Sequence, residues 1–137
     1  MKRHATAHWS GTGKEGKGFL DSQSEVLSHT AYSYKTRFEN EKGTNPEELV
    51  AAAHAGCFTM KLAFNLSGAG FVPENLETHC DIVLEEGSIT HSHLLVKGKV
   101  PGITQQAWEE LVKDAETNCP ISRLLKTRID VEARLIP

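Results

Sequence analysis

Apolar residues alternate with polar ones over Leu76–Glu85, Ser88–Val100 and Arg128–Leu135, and each stretch predicts a strand with one buried face. In the first, Leu76, Thr78, Cys80, Ile82 and Leu84 share a face, and Glu77, His79, Asp81 and Glu85 share the other. In the second, Leu94, Val96 and Val100 point inward and His91, His93, Lys97 and Lys99 outward; in the third, Ile129, Val131, Ala133 and Leu135 point inward. Earlier in the chain, Ala5–Trp9, a segment around Phe19-Leu20 and the aromatic, hydroxyl-rich Ala31–Phe38 read as three more strands. The glycines at 11, 13, 16 and 18 lie between the first two. They lack a Gly-Lys-Ser/Thr ending and no helical pattern follows, so this segment is a hairpin connection rather than a phosphate loop. Thr104 caps a helix whose Trp108, Leu111, Val112 and Ala115 follow helical spacing, and Asn118-Cys119-Pro120 interrupts it.

Between these halves lies a segment apolar on every side. Asn45 caps it, Pro46 suits the first helical position, and Glu48 can reach back to the cap amide. Leu49, Val50, Ala51–Ala53, Ala55, Phe58, Met60, Leu62, Phe64 and Leu66 then surround the axis, until Gly68, Gly70 and Pro73 end the helix. A helix apolar all round is a buried one; Phe58, Met60 and Phe64 can line a pocket near Cys57 or be plain core, and Met60 is assigned to the core. At about 20 residues, with polar interruptions, it is not expected to span a membrane. The order βββ-α-ββ-α-β predicts an α+β fold with antiparallel sheets wrapped around two long helices.

A length of 137 residues fits one domain, residues 1–137, with a modest core. Fifteen basic and 18 acidic residues leave a formal charge of −3, which offers nothing to nucleic acid or an anionic membrane. Met1-Lys2-Arg3-His4 leads into a polar segment, so no secretory leader is expected. Three cysteines without regular spacing do not make a secreted disulfide framework, and a reducing, cytoplasmic setting is expected.

Each cysteine differs in setting. Cys80, on an apolar strand face, reads as a small core hydrophobe. If Pro120 opens a new helical turn, Cys119 stands at that turn's N-terminus, where the dipole favours an anion. Cys57 lies mid-helix, about 18 Å along the axis from Asn45, so its own helix dipole helps it little. Apolar surroundings make a thiol inert. A reactive Cys57 needs a cation from another element, and otherwise it is plain core. His54, one turn earlier, can polarise it or simply be packed and hydrogen-bonded.

Three runs carry a resemblance: Thr36-Arg37-Phe38-Glu39; Glu41-Lys42-Gly43-Thr44-Asn45-Pro46-Glu47-Glu48-Leu49 with Ala52-Ala53-His54-Ala55-Gly56-Cys57-Phe58; and Cys119-Pro120-Ile121-Ser122-Arg123-Leu124-Leu125-Lys126. Together with the order of elements, they resemble the OsmC/Ohr family, and Arg37 in its Thr-Arg-Phe-Glu setting looks like the osmotically inducible branch. The glycine-rich loop from which another branch takes its arginine holds only Lys14 and Lys17 here. The resemblance implies reduction of organic hydroperoxides, and more weakly of hydrogen peroxide, in oxidative or osmotic stress defence. It implies no metal or flavin cofactor. It makes Cys57 the peroxidatic thiol, Cys119 the resolving thiol, Arg37 the activating cation and Glu47 its carboxylate partner, with an external lipoyl-type dithiol as reductant. Arg37 would then stabilise the thiolate and offer donors to the peroxide. Glu47 precedes Cys57 by roughly 15 Å along one helix and about 80° round it. An intertwined two-fold homodimer packed through this helix, each site completed by the other chain, is therefore expected.

Two rival readings remain. A metal-binding module would use His54, Cys57, Cys119 and an outer histidine, although no Cys-x-x-Cys or His-x-x-x-His pair occurs and His91 and His93 lie on an outer strand face. A non-enzymatic stress protein would keep Cys57 inert.

Overall fold

The computed structural model describes residues 1–137 and divides the chain after Leu49 into two compact units, Met1–Leu49 and Val50–Pro137. In the first, strands β1 (Ala5–Ser10), β2 (Lys17–Ser22) and β3 (Thr30–Tyr32) form an antiparallel sheet in that order. The glycine-rich segment is the expected β1–β2 hairpin connection, with Ser10 paired to Lys17.

The third strand is shorter than its composition predicts. It stops at Tyr32, and Tyr34–Phe38 forms a short helix, α1. Ser33 and Thr36 explain the switch. The Thr36 N–H donates to Ser33 Oγ at 3.2 Å and the Ser33 N–H to Thr36 Oγ1 at 2.7 Å, a reciprocal cap that offers the backbone a helical turn in place of the sheet.

Helix α2 spans Pro46–Gly68. Asn45 caps it as expected, its Oδ1 accepting from the Glu48 N–H at 2.8 Å. The Glu48 side chain takes the Thr44 hydroxyl at 2.7 Å rather than the cap amide. At the other end the Phe71 N–H reaches the Leu66 carbonyl at 2.9 Å, with Gly70 at φ +88° making the reversal. In length and hydropathy α2 reaches what a membrane span would need, contrary to the expectation from its polar interruptions. Its fully buried side chains, however, form a single stripe, His54, Phe58, Leu62 and Leu66, at four-residue steps. The opposite stripe, Ala52, Gly56, Met60 and Phe64, is exposed, Met60 at 64% and Phe64 at 69%. The all-round burial read from the sequence, and with it Met60 as core, does not hold within one chain.

In Val50–Pro137, β4 (Asn75–Glu85) and β5 (Ser88–Lys99) form an antiparallel hairpin, and β6 (Arg128–Leu135) joins β5 in parallel. Glu86 and Gly87, at φ +48° and +79°, supply the paired left-handed conformations that a two-residue hairpin turn needs. This sheet is thus mixed, not antiparallel throughout. The chain between β5 and β6 carries α3 (Gln105–Asn118) and α4 (Pro120–Leu124), and a helical crossover of that length returns the strand in the same direction. The core joins Phe58, Leu62 and Leu66 of α2 to Leu94 and Val96 of β5 and to Trp108, Val112 and Ala115 of α3. The Trp108 ring lies directly over Gly98, where a Cβ would stand 2.4 Å from it.

Candidate active site

Arg37 and Glu47 are brought together by the caps of two helices. Asn45, while capping α2 with its oxygen, gives its amide hydrogen to the Thr36 carbonyl at 3.1 Å. The residue before Arg37 is thereby fastened two residues ahead of Glu47. Arg37 Nε donates to both carboxylate oxygens of Glu47 at 3.1 Å, and a terminal guanidinium nitrogen lies 2.5 Å from Oε1. This is the bidentate brace that the motif implied. Partial burial works to raise the Glu47 carboxyl, but the bonds and charge of Arg37 and a backbone N–H outweigh it and hold it below its ordinary value. The same bonding pushes the guanidinium up. Arg37 remains partly open to solvent, with donors to spare.

The second pair lies in Val50–Pro137. Pro120 does open a new helical turn, and Cys119 is its cap, fully buried. The free N–H groups at the start of α4 are shared between two thiols. That of Ser122 points to Cys119 Sγ at 3.4 Å, and that of Ile121 acts on Cys57. The two thiols are neighbours, close enough for Cys119 to act on the ionisation of Cys57. Burial raises the Cys57 thiol above its ordinary value, the Ile121 N–H works against that, and neighbouring Cys119 adds to it. None of these influences is a positive charge. Taken by itself this unit holds Cys57 as a protonated thiol, the inertness that a mid-helix position suggests.

Behind the thiols runs a buried polar chain. His54 is wholly buried, with Nδ1 2.6 Å from Ser92 Oγ and Nε2 2.7 Å from Ser122 Oγ. Ser122 Oγ lies 3.5 Å from Cys119 Sγ, and Ser92 Oγ lies 3.4 Å from Cys80 Sγ. Burial lowers the His54 pKa, so the ring is neutral and carries one donor and one acceptor. The hydrogen bonds can then run in either sense from Cys80 to Cys119 with every group satisfied. In one sense Ser122 donates to Cys119 Sγ; in the other, Cys119 donates to Ser122.

This chain answers the question left open over His54, which is hydrogen-bonded through both nitrogens. It also removes the metal set of His54, Cys57 and Cys119, because neither imidazole nitrogen has a lone pair to spare for it. Ser92 and Ser122 are the residues that sequence reasoning passed over. A serine at an inward position of β5, in phase with Leu94 and Val96, was the available signal for the first. Burial raises the Cys80 thiol too, and Cys80 fits its reading as a small core residue.

Two neighbouring thiols at the start of a short helix, on an α+β scaffold whose bulk carries no other reactive constellation of that kind, define a dithiol redox protein. Residues 39–134 match the model of the OsmC-like protein family, and the chain belongs to that family. It is 42% identical to the peroxiredoxin OsmC of Escherichia coli K12, over 98% of this chain and 97% of that one. It is 34% identical to the organic hydroperoxide resistance protein OhrA of Bacillus subtilis, over 87% and 86% of the two chains. Among solved structures, an OsmC-like protein from Mycoplasma pneumoniae superposes with a TM-score of 0.78 at 14% identity, covering 100% of this chain and 99% of that one. An organic hydroperoxide resistance protein from Legionella pneumophila superposes at 0.69 and 21%, covering 100% and 98%. At those identities the structures speak for the fold.

Proposed function

We infer that the protein is a cysteine-based peroxidase that reduces organic hydroperoxides to alcohols. The neighbouring Cys57 and Cys119 thiols carry this reading, supported by kinship with a peroxiredoxin and with hydroperoxide resistance proteins. Cys57, as thiolate, attacks the terminal peroxide oxygen. The O–O bond breaks, the alkoxide leaves and takes a proton, and Cys57 becomes a sulfenic acid. Cys119 then attacks that sulfur. An S–S bond forms, hydroxide departs from Cys57, and the proton released by Cys119 completes a water molecule. The Ser122–His54 chain offers that proton a path, Ser122 accepting from Cys119 and passing its own hydrogen to Nε2. An external dithiol of lipoyl type restores both thiols.

The cation that the Cys57 thiolate requires is Arg37, held in shape by Glu47. It would lower the thiol's pKa and donate to the leaving oxygen. The protein acts as a two-fold homodimer packed along α2. The exposed apolar stripe Ala52, Gly56, Met60 and Phe64, beside a shallow hollow lined by Ala55, Thr59, Ala63 and Thr78, favours a second copy as its cover. The helix arithmetic above then favours Arg37 and Glu47 of one copy serving Cys57 of the other. Three unpaired cysteines suit a reducing, cytoplasmic location.

Intact mass and thiol counting after one equivalent of an organic hydroperoxide test the reaction. The parent should lose two hydrogens and two thiols, and Cys119→Ser should gain one oxygen on Cys57. Unchanged mass in both proteins, with Cys57→Ser turning over peroxide as fast as the parent, would leave Cys57 an inert core residue.

A further inference from the structure

We propose that the outer face of the β4–β5–β6 sheet carries a site for a divalent transition metal, zinc in the first instance, with His91, His93 and Asp130 as its ligands. The site is separate from the thiols. Strand alternation turns Ser92 inward to His54 and turns the histidines on either side of it outward.

The geometry follows from the strand pairing. His91 and His93 sit two residues apart on one face of β5, and the parallel register sets Asp130 of β6 directly opposite His93. The Asp130 carboxylate lies between the two rings. Its Oδ2 is 2.6 Å from His93 Nδ1, and its Oδ1 contacts His91 Nε2. One ligand atom from each of the three residues lies within 4.8 Å of the others. Tetrahedral zinc with bonds of 2.0–2.1 Å needs ligand atoms about 3.3 Å apart, a spacing inside the 4.8 Å within which these three already lie.

The setting also suits a metal. All three side chains are partly covered, at 26%, 30% and 39% exposure, so they are held in place yet open to solvent. On the far side of His93, the register brings Asp81 of β4 opposite it, placing a second carboxylate on the same face. Asp81 now takes His79 Nε2 at 3.0 Å. Arg128 stands opposite His91, and Lys97 and Arg134 pair further along the same face. Two imidazoles and a carboxylate, without sulfur, select a borderline divalent ion and leave a coordination position for water or a fourth ligand. Bound there, the ion ties β5 to β6, a parallel pair whose connection runs through two helices. Because it binds the folded chain, it stabilises that chain by an amount that grows with the logarithm of free metal concentration over its Kd.

The test is titration of the chelator-treated, full-length protein with Zn²⁺ by calorimetry and with Co²⁺ by absorption. The expected result is one equivalent bound, visible cobalt d–d bands without a sulfur-to-cobalt charge-transfer band, and a higher melting temperature with zinc. His93→Ala and Asp130→Asn should each weaken binding on the order of tenfold or more, and Cys57→Ser should not. His91→Gln is the second variant, and the metal-free melting temperature of every variant is compared with the parent to show that it folds. No binding, a sulfur charge-transfer band, or unchanged affinity in folded His93→Ala and His91→Gln would overturn the proposal and leave Asp130 as a simple hydrogen-bond acceptor for two rings.

Discussion

His54 and Ser122 share a hydrogen bond of 2.7 Å inside the core, joining the middle of α2 to the first turn of α4. Through it the helix bearing Cys57 is fastened to the turn bearing Cys119. Each residue of this bond yields a distinct expectation.

His54 is neutral in the folded chain because burial disfavours its charged form. The unfolded chain takes up a proton near the ordinary value of 6.5. As pH falls below that value the unfolded state gains protons that the folded state refuses, so stability drops, by at most about 1.4 kcal/mol per pH unit from this group. Urea midpoints between pH 8 and pH 5 should be flat above neutrality and fall below it. Glu47 and Asp130, held below their ordinary values, lose their stabilisation only in a lower window. His54→Asn should abolish the upper slope. It should also cost about 1–3 kcal/mol at pH 8, because one or both serine hydroxyls lose a partner.

Ser122→Ala removes the hydroxyl beside Cys119 but keeps the backbone N–H that points at its sulfur. Reaction of Cys57 with hydroperoxide should be unchanged, while closure of the disulfide slows on the order of tenfold. Stopped-flow trapping of the sulfenic acid with a dimedone-type reagent would separate the steps. Equal slowing of both would mean that Ser122 shapes the whole site and has no particular tie to Cys119.

Arg37 bonds Glu47 through Nε and a terminal nitrogen together, a fork that an ammonium group cannot copy. Arg37→Lys should lower kcat/KM for an organic hydroperoxide by about 10²–10³ and shift the pH profile of Cys57 alkylation upward. Glu47→Gln removes the charge and turns one acceptor oxygen into an amide donor, leaving Arg37 bonds to a single oxygen only, and a smaller loss of the same kind is expected. An alkylation profile that does not move in either variant would remove Arg37 as the thiolate's cation.

Met60 and Phe64 stand on the uncovered stripe of α2. If α2 packs against a second copy as proposed, the parent should sediment as a dimer and Met60→Glu with Phe64→Glu as a monomer in sedimentation velocity. If Arg37 acts across the dimer, peroxidase activity should fall with it. A parent protein that sediments as a monomer would rule out the shared site.

Gly98 faces the six-membered ring of buried Trp108. Gly98→Ala forces that ring aside and should destabilise the chain by about 1–3 kcal/mol. Denaturant unfolding followed by tryptophan fluorescence reports both the loss and the displaced ring.

Much of this molecule was legible in the chain itself. The Asn45 cap, the alternation of the β4, β5 and β6 segments, the Glu86-Gly87 turn and the place of Cys119 before Pro120 all came from residues within four positions of one another. Hydrogen bonds of caps and turns, and the side-chain periods of strand and helix, are local and therefore written locally. Local signals also misled: Glu48 takes the Thr44 hydroxyl and not the cap amide, and Ala31–Phe38 has strand composition, yet the Ser33–Thr36 cap turned its second half into α1. Contacts between distant segments left no such trace. Ser92 and Ser122 meet His54 from 38 and 68 positions away, Asp130 meets His91 and His93 because β6 returns parallel to β5, and α2 is buried along one stripe only. Those facts depend on which faces the strands and helices turn to each other, and packing in three dimensions decides that.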